Sequence, residues 1–147
     1  LHIEYYADGS VHLHKWYKDG ELHREDAPAY TYFYPGGGGP YQQEWWKDGK
    51  ANKDDGPAYI VYYEDGSVKI HQWIVGSRTT RVDGPAWVAY YKDGSVEETQ
   101  WWKDDKQLDS IPKEMLEAYM KANNVTVDDL FTDPDELVRT SAQQIYS

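Results

Sequence analysis

Apolar and polar residues alternate along most of this chain in short runs, and the runs are broken at Gly-containing turns. Tyr30, Tyr32 and Tyr34 fall on one side of a period-two segment, as do Tyr59, Val61 and Tyr63, then Trp87, Ala89 and Tyr91. The other side receives Ile60 and Tyr62, or Val88 and Tyr90. Such alternation is the signature of strands. Residues 2–6 read as a strand, Ala7-Asp8-Gly9-Ser10 as a turn, and Val11–Tyr17 as the returning strand. Val68–Ile74 and Val96–Trp102 are predicted to match Val11–Tyr17, with Lys, His, Glu, Gln and Thr among the rings. An Asp-Gly pair between alternating segments is a hairpin signal, because Gly accepts the positive φ of a tight turn. Lys18-Asp19-Gly20-Glu21 supplies a second turn of the same chemistry.

Three markers keep one period. Pro28-Ala29, Pro57-Ala58 and Pro85-Ala86 lie 29 and 28 residues apart; Trp16, Trp45, Trp73 and Trp101 lie 29, 28 and 28 apart. A double aromatic before a Gly turn recurs at Tyr5-Tyr6, Phe33-Tyr34, Tyr62-Tyr63 and Tyr90-Tyr91. Three markers on one spacing predict a repeat protein whose units complete one another's buried face. The expected fold is mainly β: an elongated, twisted antiparallel sheet of seven or eight strands over residues 1–108, two strands to each unit of about 28 residues. The turn Pro35-Gly36-Gly37-Gly38-Gly39-Pro40 is irregular, and reads as a drifted turn more simply than as a loop that hugs a ligand.

From residue 109 the period changes, and a small helical cap is predicted over residues 109–147. Ser110 is placed to cap a helix with Pro112 in its first turn and Met115, Leu116, Tyr119 and Met120 as its apolar stripe; Asn123-Asn124 ends it. Thr126-Val127-Asp128-Asp129 has the spacing of a capping box. Asp133-Pro134 opens a last helix carrying Leu137, Val138, Ala142 and Ile145. The tail is expected to close the terminal edge of the sheet, which would otherwise offer unpaired backbone groups; a docking module for a partner is the alternative.

Composition sharpens this picture. All seven Trp and twelve of the fourteen Tyr precede residue 105, so the sheet relies on half-wet aromatic packing. The formal charge of -11 argues against direct binding to nucleic acid or to anionic membrane, and suits a basic protein partner. The chain has no Cys, which leaves every compartment open, and cytoplasmic location is the expectation. No leader-like or membrane-length apolar segment is present, and the Leu1 start suggests trimming.

Glu25-Asp26-Ala27-Pro28-Ala29, Asp55-Gly56-Pro57-Ala58 and Asp83-Gly84-Pro85-Ala86, with the Asp-Gly-Ser turns at Asp8, Asp65 and Asp93, resemble MORN-like repeats grouped with the YwqK-type antitoxin family. They are more closely similar to the Asp-Gly-Pro-Ala repeat proteins of phages, giant viruses and some bacteria. The resemblance covers residues 1–105 and implies an all-β scaffold for protein or surface association. Ala27 and Pro35-Gly36 depart from its pattern.

Candidate chemistry is sparse. His12 and His14 are read as sharing a strand face, but His14 and His71 are two units apart, about 19 Å at the sheet spacing, and cannot share an ion. Asp8, Asp19, Asp48, Asp65 and Asp93 each precede Gly, where a carboxylate accepts local backbone bonds. No catalytic triad, phosphate loop or zinc-protease motif is present, so no enzyme activity, cofactor or metal is expected. The binding candidates are the aromatic rows Trp45, Trp46, Trp73, Trp87, Trp101 and Trp102, with Tyr63, Tyr91 and the turn carboxylates Asp65 and Asp93. Trp and Tyr are favoured anchors at protein interfaces. The expected function is therefore a non-enzymatic protein-binding module, an inhibitor or antitoxin-like factor acting on a basic partner. Carbohydrate stacking on the Trp/Tyr rows is the alternative, as is an acidic imitation of DNA. The N-terminal half-unit could also pair edge to edge with a second copy to give a homodimer.

Overall fold

The computed structural model describes residues 1–147. With elements numbered along the chain, eight strands form one antiparallel sheet in chain order: β1 (His2–Tyr5), β2 (Val11–Lys15), β5 (Tyr30–Phe33), β6 (Pro40–Glu44), β9 (Tyr59–Tyr62), β10 (Val68–Gln72), β13 (Trp87–Tyr90) and β14 (Val96–Gln100). Four two-residue hairpins leave it: β3/β4 (Tyr17–Lys18, Glu21–Leu22), β7/β8 (Trp46–Lys47, Lys50–Ala51), β11/β12 (Ile74–Val75, Arg78–Thr79) and β15/β16 (Trp102–Lys103, Lys106–Gln107).

The returning strands are therefore shorter than the alternation predicts. β2, β10 and β14 stop just before Trp16, Trp73 and Trp101 instead of running through them. The Trp peptide is the crossing point. The amides of Trp16, Trp45 and Trp73 donate to the carbonyls of Ala29, Ala58 and Ala86, while the carbonyls of Trp16, Trp45, Trp73 and Trp101 accept from residues 23, 52, 80 and 108. One bond holds the sheet and the other starts the hairpin. Ala29, Ala58 and Ala86 are completely buried at these junctions, which leaves no room for a longer side chain.

The two kinds of turn differ in chemistry. At Gly9, Gly66 and Gly94 only the Gly has positive φ, and each turn is followed by a shift of register along the strand pair. The preceding Asp8, Asp65 and Asp93 accept from both the amide and the hydroxyl of Ser10, Ser67 and Ser95, at 2.8 and 2.6 Å. The small hairpins instead place two successive residues at positive φ, such as Asp19 (52°) and Gly20 (80°), the mirror-image turn that suits a two-residue loop. The four-Gly loop closes through the Tyr34 amide to the Gly39 carbonyl at 3.0 Å, and a Cβ on Gly38 would meet that of Tyr34 at 2.9 Å. Its glycines serve the turn.

Register shifts leave His12 bulged out of the β1/β2 ladder. His12 consequently packs toward Tyr6 and Tyr32, whereas His14 lies 5.0 Å from Phe33 on the opposite face. The two His do not share a face, because the bulge breaks the period-two count.

The tail holds α1 (Lys113–Asn123), α2 (Val127–Leu130) and α3 (Glu136–Tyr146). Ser110 does not cap α1: Pro112 takes that place without a side-chain bond, and Asn124 ends the helix in the left-handed conformation. Thr126 and Asp129 form the capping box of α2, the Thr126 amide donating to Asp129 Oδ2 at 2.8 Å. The cap of α3 is Asp135, two residues beyond the expected Asp133. The largest buried cluster sits here, where Trp101, Ile111, Met115, Leu116, Leu130, Val138 and Ala142 meet. Only 20 of 147 residues are buried, so the sheet is held by half-buried rings and shared hydrogen bonds more than by an aliphatic interior. No helix is long and apolar enough to cross a membrane.

Candidate functional site

Three of the four hairpins carry a cation back over their own Trp. The Arg24 guanidinium lies 4.0 Å from the Trp16 ring, the Lys53 ammonium 4.2 Å from Trp45 and the Arg81 guanidinium 3.9 Å from Trp73. Ring quadrupoles favour that geometry. Arg81 is held further by its bonds to Asp83 at 2.9 Å and to the Pro85 carbonyl at 3.1 Å. A Cβ on Gly84 would sit 2.8 Å from the guanidinium carbon, so a side chain there would shift the Arg81 head. These cations stand eight residues after the Trp and four before the Pro. That constant offset was the signal in the sequence that could have found them.

The residue before each cation links consecutive hairpins. His23 Nδ1 accepts the Asp48 amide at 2.9 Å, Asn52 Oδ1 the Gly76 amide at 2.8 Å and Thr80 Oγ1 the Asp104 amide at 3.1 Å. Three different acceptors serve one geometric role. His23 is 7% exposed and donates from Nε2 to Glu25 at 2.7 Å, which sets its tautomer.

At Trp101 the pattern ends, because Asp109 stands where a cation would be. Tyr119 from α1 replaces the cation, meeting the Trp101 ring edge to face at 5.5 Å. Asp135 Oδ2 accepts both Trp101 Nε1 and Thr99 Oγ1 at 2.8 Å, while its Oδ1 takes the Leu137 amide at 3.0 Å. Tyr119 donates to Asp133 at 2.7 Å; burial, together with that bond, raises its phenol well above the usual range.

Between this tail and the face of β10, β13 and β14 lies a cleft of about 700 Å³. Trp73, Val88 and Tyr90 line its sheet side, and Glu97, Glu98, Asp133, Asp135 and Glu136 its rim. With Asp83 that makes six carboxylates against one cation, Arg81, which Asp83 already neutralises. Asp133 and Asp135 are committed to internal bonds, so Glu97, Glu98 and Glu136 remain for a ligand. His71 stands beside the cleft, its ring 5.7 Å from Trp73 and its Nδ1 3.1 Å from the Tyr90 hydroxyl. Burial, then the charge of Arg81, lowers its affinity for a proton.

The structure does not gather the expected binding residues into one surface. Trp101 is buried at 1% exposure, so it cannot serve as an open anchor; the helical tail, whose packing the strand pattern does not specify, covers it. Trp45 and Trp73 are half-buried beneath their cations, and Trp45 and Trp46 line a smaller groove of about 470 Å³ with Arg24 and Lys53. Trp46 and Trp102 donate their indole N–H groups to Glu44 at 2.8 Å and Gln100 at 3.0 Å, and Trp87 is half-buried in β13. Tyr63, Tyr91, Asp65 and Asp93 lie at the other ends of the strands, roughly 15 Å away at the rise of an extended chain. Tyr63 spends its hydroxyl on the Tyr90 carbonyl at 2.7 Å, and only Tyr91, Asp65 and Asp93 of this group are exposed. The Ser hydroxyl, then the Ser amide, holds the Asp65 and Asp93 carboxyls below the usual range. No cluster of three His, Asp or Glu side chains has the geometry to hold a metal ion.

No protein-family model matches the chain, and neither a curated protein nor a solved structure is similar to it at a significant level.

Proposed function

We propose that this chain is a non-enzymatic protein-binding module of the MORN-like repeat kind, working in the cytoplasm as an inhibitor or antitoxin-like factor on a partner with a basic surface. The observation that carries this reading is the cleft at the C-terminal end of the sheet, where Glu97, Glu98 and Glu136 are unpaired beside Val88, Val96 and Tyr90. Carboxylates around an apolar floor steer and then retain a Lys- or Arg-rich surface, more strongly at low salt. The cations over Trp16, Trp45 and Trp73 cover the ring faces that sugar stacking would need, which favours a protein ligand over a glycan.

Titration of the full chain with Lys/Arg-rich oligopeptides and with Glu-rich controls tests the reading. Preferential binding of the basic set, weakened by salt and by the combined Glu97→Lys, Glu98→Lys and Glu136→Lys changes, is expected. Equal affinity for the acidic set, or indifference to charge reversal in a folded variant, would overturn it.

A further inference from the structure

The last strand of the sheet lacks what its counterparts have. β2, β6 and β10 are paired on both sides, whereas β14 pairs with β13 alone. On β10 the residues Ile70, His71 and Gln72 receive Ala89, Val88 and Trp87 of the following strand. The 28-residue period puts Glu98, Thr99 and Gln100 at those places on β14, and no strand pairs with them on the outer side.

The tyrosines before the Gly turns mark the same vacancy. The hydroxyls of Tyr6, Tyr34 and Tyr63 each donate to a carbonyl two strands further on, at Phe33, Tyr62 and Tyr90, with distances of 2.6, 2.6 and 2.7 Å. Tyr91, their counterpart, has no protein acceptor and is 52% exposed. The amides of Trp16, Trp45 and Trp73 find the carbonyl of a buried Ala, whereas no following strand supplies one to Trp101, which the tail covers instead.

From this we infer that the outer edge of β14 is a strand-addition site for an extended, Lys- or Arg-containing segment of a partner protein. The segment continues the sheet, places its cation opposite Glu98 and beside Glu97, and gives a carbonyl to Tyr91 Oη. A second copy of this chain fits the site badly. Its β1 edge, in the register that β13 takes on β10, would set Glu4 opposite Glu98 and Leu1 where Ala29, Ala58 and Ala86 are completely buried. Like charges directly opposite one another on neighbouring strands repel. The inference rests on the basic-partner reading and specifies how that partner is held.

The probe is a peptide copying residues 85–91 and carrying Ala89→Lys, compared with the same peptide N-methylated at alternate amides and with an Ala89→Glu version. Against the full chain the Lys peptide is expected to bind, to protect the amides of residues 96–101 from hydrogen exchange, and to lose affinity roughly tenfold on methylation. Glu98→Lys is expected to reverse the preference between the Lys and Glu peptides. If binding ignores methylation and leaves β14 unprotected, or if only unrelated basic oligopeptides bind, strand addition fails while the basic-partner reading stands. If no basic peptide binds, both fail. Concentration-dependent self-association that protects β14 would make a second copy the occupant and overturn the proposal.

Discussion

Asp135 Oδ2 lies 2.8 Å from Trp101 Nε1, so the residue that caps the last helix also holds the last Trp of the sheet. The same oxygen takes the Thr99 hydroxyl, and the other oxygen takes the Leu137 amide. Three donors therefore converge on one carboxylate, and sheet and tail are coupled through it.

Asp135→Ala should cost about 2–4 kcal/mol, the sum of a lost cap and two donors left inside the protein. Asp135→Asn should cost nearly as much. An amide has only one acceptor oxygen, so its NH₂ must face either the Trp101 and Thr99 donors or the Leu137 amide. Urea unfolding checks the magnitude, and faster hydrogen exchange in α3 in both variants would show that the coupling is lost. An Asn variant as stable as the parent would remove Asp135 from this role.

Arg81 should be harder to replace than its surface position suggests. Arg81→Ala removes the cation over Trp73 and the bonds to Asp83 and the Pro85 carbonyl, at a cost of about 1–2 kcal/mol. Arg81→Lys should recover part of this, because Lys53 stacks on Trp45 at 4.2 Å with a point charge and no fork. Thermal unfolding of the two variants decides it; equal losses would mean that the planar fork, and not the cation over the ring, carries the effect.

The main sheet was legible in the sequence because period two and the Asp-Gly turns act locally. Its eight antiparallel strands lie within the seven or eight expected. The strand ends were not legible, since Trp16, Trp73 and Trp101 keep the alternation going while their peptides turn out of the sheet. Nor was the fate of Trp101. An identical Trp marker is half-buried under Arg81 at Trp73 and fully buried under Tyr119 at Trp101, and only the fold of the tail distinguishes them. The acidic cleft combines β14 with residues more than thirty positions later, a juxtaposition that no local pattern encodes. The offset of Arg24, Lys53 and Arg81 from the Trp, by contrast, was open to a longer reading of the same period.

Acidification should destabilise the fold before its carboxylates titrate. Burial, then the charge of Arg81, lowers the proton affinity of His71, so below its ordinary value of 6.5 the folded chain holds fewer protons at this site than the unfolded chain. Stability then rises with pH across that window: the contribution is complete above about pH 6.5 and is lost as pH falls. Melting between pH 7 and pH 5 should show the decline, and His71→Gln, which keeps a group able to bond Tyr90, should flatten it. An unchanged slope in the variant would place the acid sensitivity elsewhere.

The tyrosines before the Gly turns should separate into two classes although their sequence context is the same. Tyr34→Phe and Tyr63→Phe each remove a hydroxyl that donates to the strand beyond, at 2.6 and 2.7 Å, and should cost about 0.5–1.5 kcal/mol. Tyr91→Phe removes a hydroxyl with no protein acceptor and should be neutral within about 0.5 kcal/mol in the isolated chain. Once a peptide occupies the edge of β14, the same Tyr91→Phe change should weaken its binding, because the acceptor that Tyr34 and Tyr63 find in the next strand is then supplied by the ligand. Equilibrium unfolding of the three variants, set beside peptide affinities for the parent chain and Tyr91→Phe, measures both halves. If Tyr91→Phe destabilises the free chain as much as Tyr63→Phe does, the sheet has no vacancy at that end.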